Sequence, residues 1–194
     1  MAKVLEDLTR EIRRCEVCRG SLPLDPRPIV SIGAKSKILI IGQAPGLAAH
    51  QTSTPWNDKS GDNLRRWMDI DKSIFYDTGK ISIMPMGFCY PGKGRSGDLP
   101  PRHECAPLWH SQVMKNLPDI QLTLLIGKYA QNGYLNHYKN ARLTEIVKNA
   151  RHFLPRFFPL PHPSPRNNIW MMKNGWFEKD ILPLLKSQVR DLLG

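Results

Sequence analysis

Short, largely apolar runs are spaced along the whole chain. Residues 37–41, 81–86, 122–126 and 157–160 are such runs, and they are rich in Ile, Leu and Phe. Runs of four to six residues with this composition predict buried β-strands. Glycine or proline follows each run within a few residues, which predicts a loop at the end of each strand.

Helices are predicted between and around these runs, because apolar residues recur there at intervals of three and four. Segments 104–117 and 176–193 are predicted helices, and Ser60 is the predicted N-cap of another. One more helix is predicted at the start of the chain, with one apolar face formed by Val4, Leu5, Leu8 and Ile12.

The alternation of strands and helices predicts an α/β fold. We expect a three-layer sandwich, in which a short, mainly parallel central sheet of about four strands carries helices on both faces. No internal repeat or linker divides the sequence, so residues 1–194 are predicted to form a single domain. In such folds ligands bind beyond the carboxyl ends of the strands. The segments to inspect are therefore 42–58, 87–103, 127 onward and 161–167.

Charge adds a candidate partner to this picture. The chain carries 28 Lys and Arg against 17 Asp and Glu, a net charge of +11. A surplus of this size favours a polyanion such as nucleic acid, although the basic residues are scattered and many basic proteins bind none. No leader-like segment and no apolar run of about 20 residues is present. We therefore expect a cytoplasmic protein with no membrane partner.

Two segments after the first predicted strand contain candidate binding residues. In the first, glycines permit close approach of a ligand to the backbone, and the glutamine amide can both donate and accept hydrogen bonds. This segment is Gly42, Gln43, Ala44, Pro45 and Gly46. In the second, Trp56 offers a face on which a base could stack and Asp58 a carboxylate that could orient water. A structural turn, a core tryptophan and a helix cap are the alternatives.

The segment after the fourth predicted strand is rigid and polar. It reads His-Pro-Ser-Pro-Arg-Asn over residues 162–167. His162 could donate a hydrogen bond to an oxygen that gains negative charge, and Ser164, Arg166 and Asn167 suit contact with phosphate. A proline-rich surface connection with an incidental histidine is the alternative.

All four cysteines fall into one spacing pattern. Cys15 and Cys18 form a C-x2-C pair, and fifteen residues separate Cys89 from Cys105. A thioredoxin-like site would explain only the first pair. Four thiolates suit zinc or an iron–sulfur cluster, whereas four independent buried thiols would need no metal.

In their order and spacing these segments resemble the uracil-DNA glycosylase superfamily. Segment 42–46 resembles the family's first motif, segment 162–164 its second, and segment 55–62 the connection that carries the base-stacking aromatic residue. The cysteine pattern is similar to that of the iron–sulfur branches, families four and five. The resemblance implies a hydrolase that removes uracil or a related deaminated base from DNA during base excision repair.

The resemblance also implies roles for individual residues. Asp58 would position the attacking water, His162 would stabilise the departing base, Trp56 would stack on that base, and Gln43 would contact base or water. The loop that contains Ser164, Arg166 and Asn167 would press into the duplex. The cysteines that would hold a structural 4Fe–4S cluster are Cys15, Cys18, Cys89 and Cys105.

The first motif departs from part of the family. Family four has Glu at the position of Gln43, and other branches have Asp or Asn at that of Ala44. Family five also lacks an acid there and has a downstream Asp in a segment similar to 57–61, which supports Asp58. The family's uracil-reading Asn is not found in residues 83–87, so backbone groups of that segment are left to read the base.

The sequence thus predicts a monomeric DNA glycosylase that acts on a flipped-out base and carries a 4Fe–4S cluster. Two alternatives stay open. One is a catalytically altered or inactive DNA-binding member of the same superfamily, motivated by the missing acid. The other is a zinc-stabilised nucleic-acid-binding module.

Overall fold

The computed structural model describes residues 2–194. Four strands form one sheet: β1 (Ile38–Ile41), β2 (Ile81–Ile83), β3 (Leu122–Ile126) and β4 (Phe157–Leu160). All three pairings are parallel, and the strand order is β2-β1-β3-β4. The predicted α/β class and the four-stranded parallel sheet are therefore confirmed, although β2 ends three residues before the predicted run does.

Helices of moderate length connect the strands. They are α1 (Ala2–Arg13), α2 (Leu47–Thr52), α3 (Lys59–Met68), α4 (Lys72–Phe75), α5 (Ser111–Lys115), α6 (Gly127–Tyr134), α7 (Leu143–Lys148), α8 (Asn168–Lys173) and α9 (Leu182–Leu193). Short 3-10 segments lie at Asn136–Tyr138, Ala150–Phe153 and Pro165–Asn167. Over residues 2–194, no helix has both the length and the apolar character required to cross a bilayer.

Two apolar layers sandwich the sheet, because successive side chains of a strand point to opposite faces. In β1, Ile38 and Ile40 pack with the buried residues of α3 and α9. Leu39 and Ile41 point the other way and pack with those of α1 and α6. Within α1, Leu5, Leu8 and Ile12 are buried as predicted. Val4 was wrongly assigned to this face, since it is 56% exposed.

Two predicted helices begin differently from the expectation. The helix predicted over 104–117 starts as a π-helix, Ala106–His110, and continues as α5. The helix predicted over 176–193 likewise starts as a π-helix, Phe177–Ile181, before α9. Pro107 and Pro183 lie at these points, and proline has no backbone N–H with which to close an α-helical hydrogen bond.

The predicted cap of α3 was also wrong. Asp58, not Ser60, is the N-cap, and its Oδ1 accepts a hydrogen bond from the Gly61 N–H at 2.9 Å. Ser60 lies inside the first helical turn and is buried. A carboxylate three residues before a free N–H reaches it more directly than a hydroxyl within the turn does.

The strand order creates a crevice at one edge of the sheet. The chain passes from β1 to β2 on one side and then returns to β3 on the other side of β1. The loops after β1 and β3 therefore diverge, and the carboxyl edge opens between them.

Candidate active site

A cavity of about 520 Å³ lies at the carboxyl ends of β1, β2 and β4. This volume is in the range of small-molecule sites. Every residue that the sequence predicted for catalysis or substrate binding lines it: Gly42, Gln43, Ala44, Pro45, Gly46, Trp56, Asp58, His162, Ser164, Arg166 and Asn167. The parallel sheet thus brings together three segments that are far apart in the sequence.

Trp56 is held in an unusual backbone conformation. Its φ is +55°, in the left-handed region that a bulky side chain rarely adopts. The Tyr76 hydroxyl donates to the Pro55 carbonyl at 2.9 Å, and Nη1 of buried Arg65 donates to the Trp56 carbonyl at 3.4 Å. These contacts fix the turn that presents the indole ring to the cavity.

Two glycines make room for Trp56. A Cβ on Gly61 would lie 1.8 Å from the Trp56 carbonyl oxygen, and a Cβ on Gly42 would lie 2.8 Å from its indole Cζ2. Neither position has room for a side chain. Gly42 therefore leaves space for the indole ring, in addition to allowing a ligand to approach the backbone closely.

His162 lies beside Trp56 on the same wall of the cavity. The two ring centroids are 5.6 Å apart with an angle of 33° between the planes. Burial lowers the pKa of His162, and the nearby Asp58 carboxylate acts in the opposite direction. At neutral pH the imidazole is therefore uncharged, and it can donate one hydrogen bond.

The loop that follows His162 is tied down at both ends. The Asn167 amide donates to the His162 carbonyl at 2.6 Å, and the Asn63 amide donates to the Pro163 carbonyl at 2.8 Å. The Ser164 hydroxyl accepts from the Arg166 N–H at 3.3 Å. Asn167 and Ser164, predicted to contact phosphate, therefore also shape their own loop.

Arg166 and Gln43 each contact the long loop after β2. The Arg166 guanidinium donates to the Ser96 carbonyl at 2.8 Å, which uses one of its five donors. The Gln43 amide donates to the Leu99 carbonyl at 2.9 Å. The cavity walls supplied by β1, β2 and β4 are thus joined to one another by side-chain hydrogen bonds.

The family model described as "Uracil DNA glycosylase superfamily" matches residues 30–186, which include every lining residue of this cavity. The chain belongs to the uracil DNA glycosylase superfamily. Among solved structures, the chain is similar to a solution NMR structure of a candidate uracil DNA glycosylase from Methanosarcina acetivorans. The identity is 14% and the TM-score 0.49, over 84% of this chain and 97% of that one.

The structure limits one sequence-based expectation for this superfamily member. Backbone groups of residues 83–87 are expected to read the base, but the N–H groups of this segment are already in use. The Met86 N–H donates to the Gly42 carbonyl and the Gly87 N–H to the Gln43 carbonyl. Pro85 lines the cavity but has no N–H to offer. The two loops pair with each other because both continue the parallel register of β1 and β2.

Sequence reasoning missed one ionisable residue of the cavity. Asp98, together with Ser96 and Gly97, lines it from the loop after β2. Burial raises the pKa of Asp98, the cations Arg166 and Lys93 oppose this shift, and Asp58 adds to it. The sequence does place segment 87–103 among the loops beyond the carboxyl ends of the strands, but nothing in that segment distinguishes Asp98.

The four cysteines lie in one region on the α1 side of the sheet. None forms a disulfide, and Cys18, Cys89 and Cys105 are buried. Burial raises the pKa of Cys89 to about 12 and that of Cys105 to about 11, and the other thiols add to both shifts. Within residues 2–194, however, no three His, Cys, Asp or Glu side chains converge closely enough to hold a single metal ion.

Hydrogen-bond donors surround these sulfur atoms. The Phe88 N–H donates to Cys105 Sγ at 3.4 Å. The Arg27 backbone acts on Cys89 and the Arg102 guanidinium on Cys18, and each lowers the pKa of that thiol against the larger effect of burial. Donors of this kind favour the thiolate form, which is the form that binds metal.

Proposed function

We propose that this protein is a monofunctional DNA glycosylase, a single domain that hydrolyses the N-glycosidic bond of uracil or a related deaminated base. One observation carries the proposal. Eleven residues chosen from three separate segments line one cavity at the carboxyl edge of the sheet. Membership of the uracil DNA glycosylase superfamily and the net charge of +11 support DNA as the substrate.

The cavity suits a base that has left the stack. A glycosylase must bring the bond between base and sugar out of the duplex, and the extruded base then needs a flat surface to lie on. The indole of Trp56 supplies such a surface, and stacking on an aromatic ring contributes about 1–3 kcal/mol per base. The rigid turn at residues 55–57 holds that surface ready before DNA binds.

His162 and Asp58 suit the charges that develop in the reaction. Negative charge accumulates on the departing base, and an uncharged His162 can donate a hydrogen bond to a carbonyl oxygen of that base. Positive charge accumulates on the sugar, which a carboxylate stabilises as it does in glycosidases. Asp58 lines the cavity near His162 and keeps one oxygen free of its capping bond.

The test is base release from labelled oligonucleotides containing uracil, hypoxanthine or xanthine, with abasic sites revealed by alkaline cleavage. We expect release from at least one of them, and a loss of about 100-fold or more in His162→Ala. His137→Ala is the matched control, since His137 is exposed and outside the cavity. No release by folded wild-type protein would contradict the proposal and favour the DNA-binding alternative.

We further propose that Cys15, Cys18, Cys89 and Cys105 hold a 4Fe–4S cluster, as in families four and five. Each iron of such a cluster takes one thiolate, and the four cysteines of the chain supply that number. The N–H groups at Cys89 and Cys105 oppose part of the increase in pKa that burial causes, and donors of this kind favour the thiolates that a cluster requires. When bound, the cluster would order the end of α1 and the loop after β2; it supplies no step of the hydrolysis.

Anaerobic purification tests the cluster. We expect brown protein with about four iron and four sulfide per chain, and loss of both together with a lower thermal midpoint in Cys89→Ser. Ser21→Ala, an exposed change near Cys18, should keep the iron. A colourless protein with stoichiometric zinc would contradict the cluster and favour a zinc site instead.

A further inference from the structure

We propose that Asp98 is a catalytic carboxylate of this enzyme and that Gln43 is the residue that positions it. The inference rests on the glycosylase function proposed above and assigns it a second acid. The first motif has no acid at positions 43 and 44. Asp98 supplies a carboxylate to the same cavity from the loop after β2.

The loop around Asp98 is a closed, well-supported turn. Asp98 and Lys93 form an antiparallel bridge, the Leu99 N–H donates to the Gly92 carbonyl at 2.8 Å, and the Gly94 N–H donates to the Gly97 carbonyl at 2.6 Å. These bonds leave the Asp98 side chain on the cavity side, where its Oδ2 lies against Gly46: a Cβ on that glycine would be 3.4 Å away.

Two side chains of the cavity hold this turn from outside. Gln43 donates to the Leu99 carbonyl, directly after Asp98, and Arg166 donates to the Ser96 carbonyl, two residues before it. Residues on both sides of Asp98 are thus fixed to the two motifs that the sequence predicted as functional. A carboxylate held in this way needs little reorganisation when the substrate binds.

The contact made by Gln43 explains why this position carries an amide. An ionised glutamate has only acceptor atoms, so it could not donate to the Leu99 carbonyl. It would also add a negative charge close to Asp98. Gln43 and Asp98 therefore act together: the amide of Gln43 holds the loop that contains Asp98, and Asp98 supplies the carboxylate.

The chemistry for Asp98 is that of a general base. The oxygen of a water molecule bonds to C1′ of the sugar while the bond from C1′ to the base nitrogen breaks, and the bonding electron pair leaves with the base. Asp98 accepts one proton of that water, and this proton then returns through solvent to the released base anion. Asp58, whose Oδ1 caps α3, is left to face the positive charge on the sugar.

The surroundings of Asp98 set the pH at which it can act. Arg166, Lys93, Asp58 and Tyr90 are the charged or titratable groups that interact with it. Burial, reinforced by Asp58, outweighs the two cations and raises the pKa of Asp98. The carboxylate form is therefore lost at a pH above the ordinary range for aspartate, and base release should fall on the acid side of that pH.

The test compares single-turnover base release by wild type, Asp98→Asn and Asp119→Asn. Asp119 is an exposed aspartate far from the cavity and is the matched control. We expect a loss of about 100-fold or more in Asp98→Asn, with unchanged affinity for an oligonucleotide carrying a stable abasic-site analogue. The thermal midpoint of Asp98→Asn should match that of wild type, because the substitution keeps the shape of an exposed side chain.

Gln43→Glu is the second variant. We expect slower release and an acid limb displaced to higher pH, since a carboxylate next to Asp98 raises its pKa further. A displaced limb would identify Asp98 as the group whose titration limits the rate, whereas an unchanged limb would contradict that role. Wild-type activity in Asp98→Asn would overturn this assignment and leave the glycosylase function intact. Wild-type protein that releases none of the three bases would overturn both.

Discussion

At the scale of the residue, the buried imidazole of His110 contacts a residue that lines the cavity. One ring nitrogen lies 2.6 Å from the Tyr134 hydroxyl and the other 3.1 Å from the carbonyl of Pro85, a cavity residue. Burial lowers the pKa of His110 from 6.5 to about 4. The folded protein therefore keeps this imidazole neutral in a range where the unfolded chain protonates it.

This difference predicts acid sensitivity of the fold. The free energy of unfolding is unaffected by the protonation of His110 above pH 6.5. It decreases as the pH falls from 6.5 toward 4, because the unfolded state binds a proton there that the folded state does not. A shift of this size corresponds to about 3 kcal/mol. Denaturant unfolding between pH 7 and 4 should show a flatter pH dependence in His110→Phe than in wild type. Exposed His137→Phe is the control, and an unchanged slope in His110→Phe would contradict the expectation.

The sequence identified individual cavity residues where a side chain with suitable chemistry followed a predicted strand. Trp56, Asp58 and His162 were found in this way, and all line the cavity. Asp98 was missed because its loop contains no motif, and only its place on the cavity lining and its contact with Gly46 show which way it faces. Long-range contacts of this kind leave no local pattern.

At the scale of the element, the first turn of α3 and the Trp56 turn form one unit. The Gly61 N–H receives the cap from Asp58, and the Gly61 Cα lies against the Trp56 carbonyl. No side chain fits between them. The start of this helix therefore fixes both a candidate catalytic carboxylate and the stacking surface.

Gly61→Ala should accordingly damage stability and activity together. The added Cβ would lie 1.8 Å from a backbone oxygen, so the helix start or the Trp56 turn must move. We expect a loss of about 2–4 kcal/mol in the free energy of unfolding, measured by urea denaturation, and slower base release. Gly175→Ala is the control, since a Cβ there meets no atom within 4 Å. Equal stability of the two variants would contradict this account of the turn.

Strands were predicted better than helices. The runs at 122–126 and 157–160 matched β3 and β4 residue for residue, because buried strands of a parallel sheet are apolar on both faces. The observed starts of three helices differ from the predicted ones. Asp58 caps α3, and two helices begin with a π-helical turn next to a proline. Hydrophobic spacing identifies which face of a helix is buried, but it does not determine which hydrogen bonds close the first turn.

At the scale of the whole molecule, the surplus of 11 positive charges should appear in how DNA binding depends on salt. Each phosphate contact releases condensed counterions, so affinity falls linearly in a plot of log K against log salt. Lys128 is exposed beside the cavity, at the carboxyl edge of β3. Lys115 is also exposed but ends α5, close to the amino edge of the sheet.

Lys128→Gln should therefore reduce the salt slope by about 1, whereas Lys115→Gln should leave it unchanged. Fluorescence anisotropy with a duplex oligonucleotide at several salt concentrations measures both. An equal reduction in the two variants would mean that the DNA does not approach the carboxyl edge. The sequence supplied the sign and size of the charge, but only the strand order assigns a basic residue to one edge or the other.

The left-handed backbone at Trp56 has a consequence for how this position can be varied. Glycine would relieve the strain of a positive φ. It would also remove the indole, which packs against the buried residues on the α3 and α9 side of the sheet. Relief of backbone strain and loss of packing therefore oppose each other at one residue, and thermostable variants should be sought elsewhere in the chain.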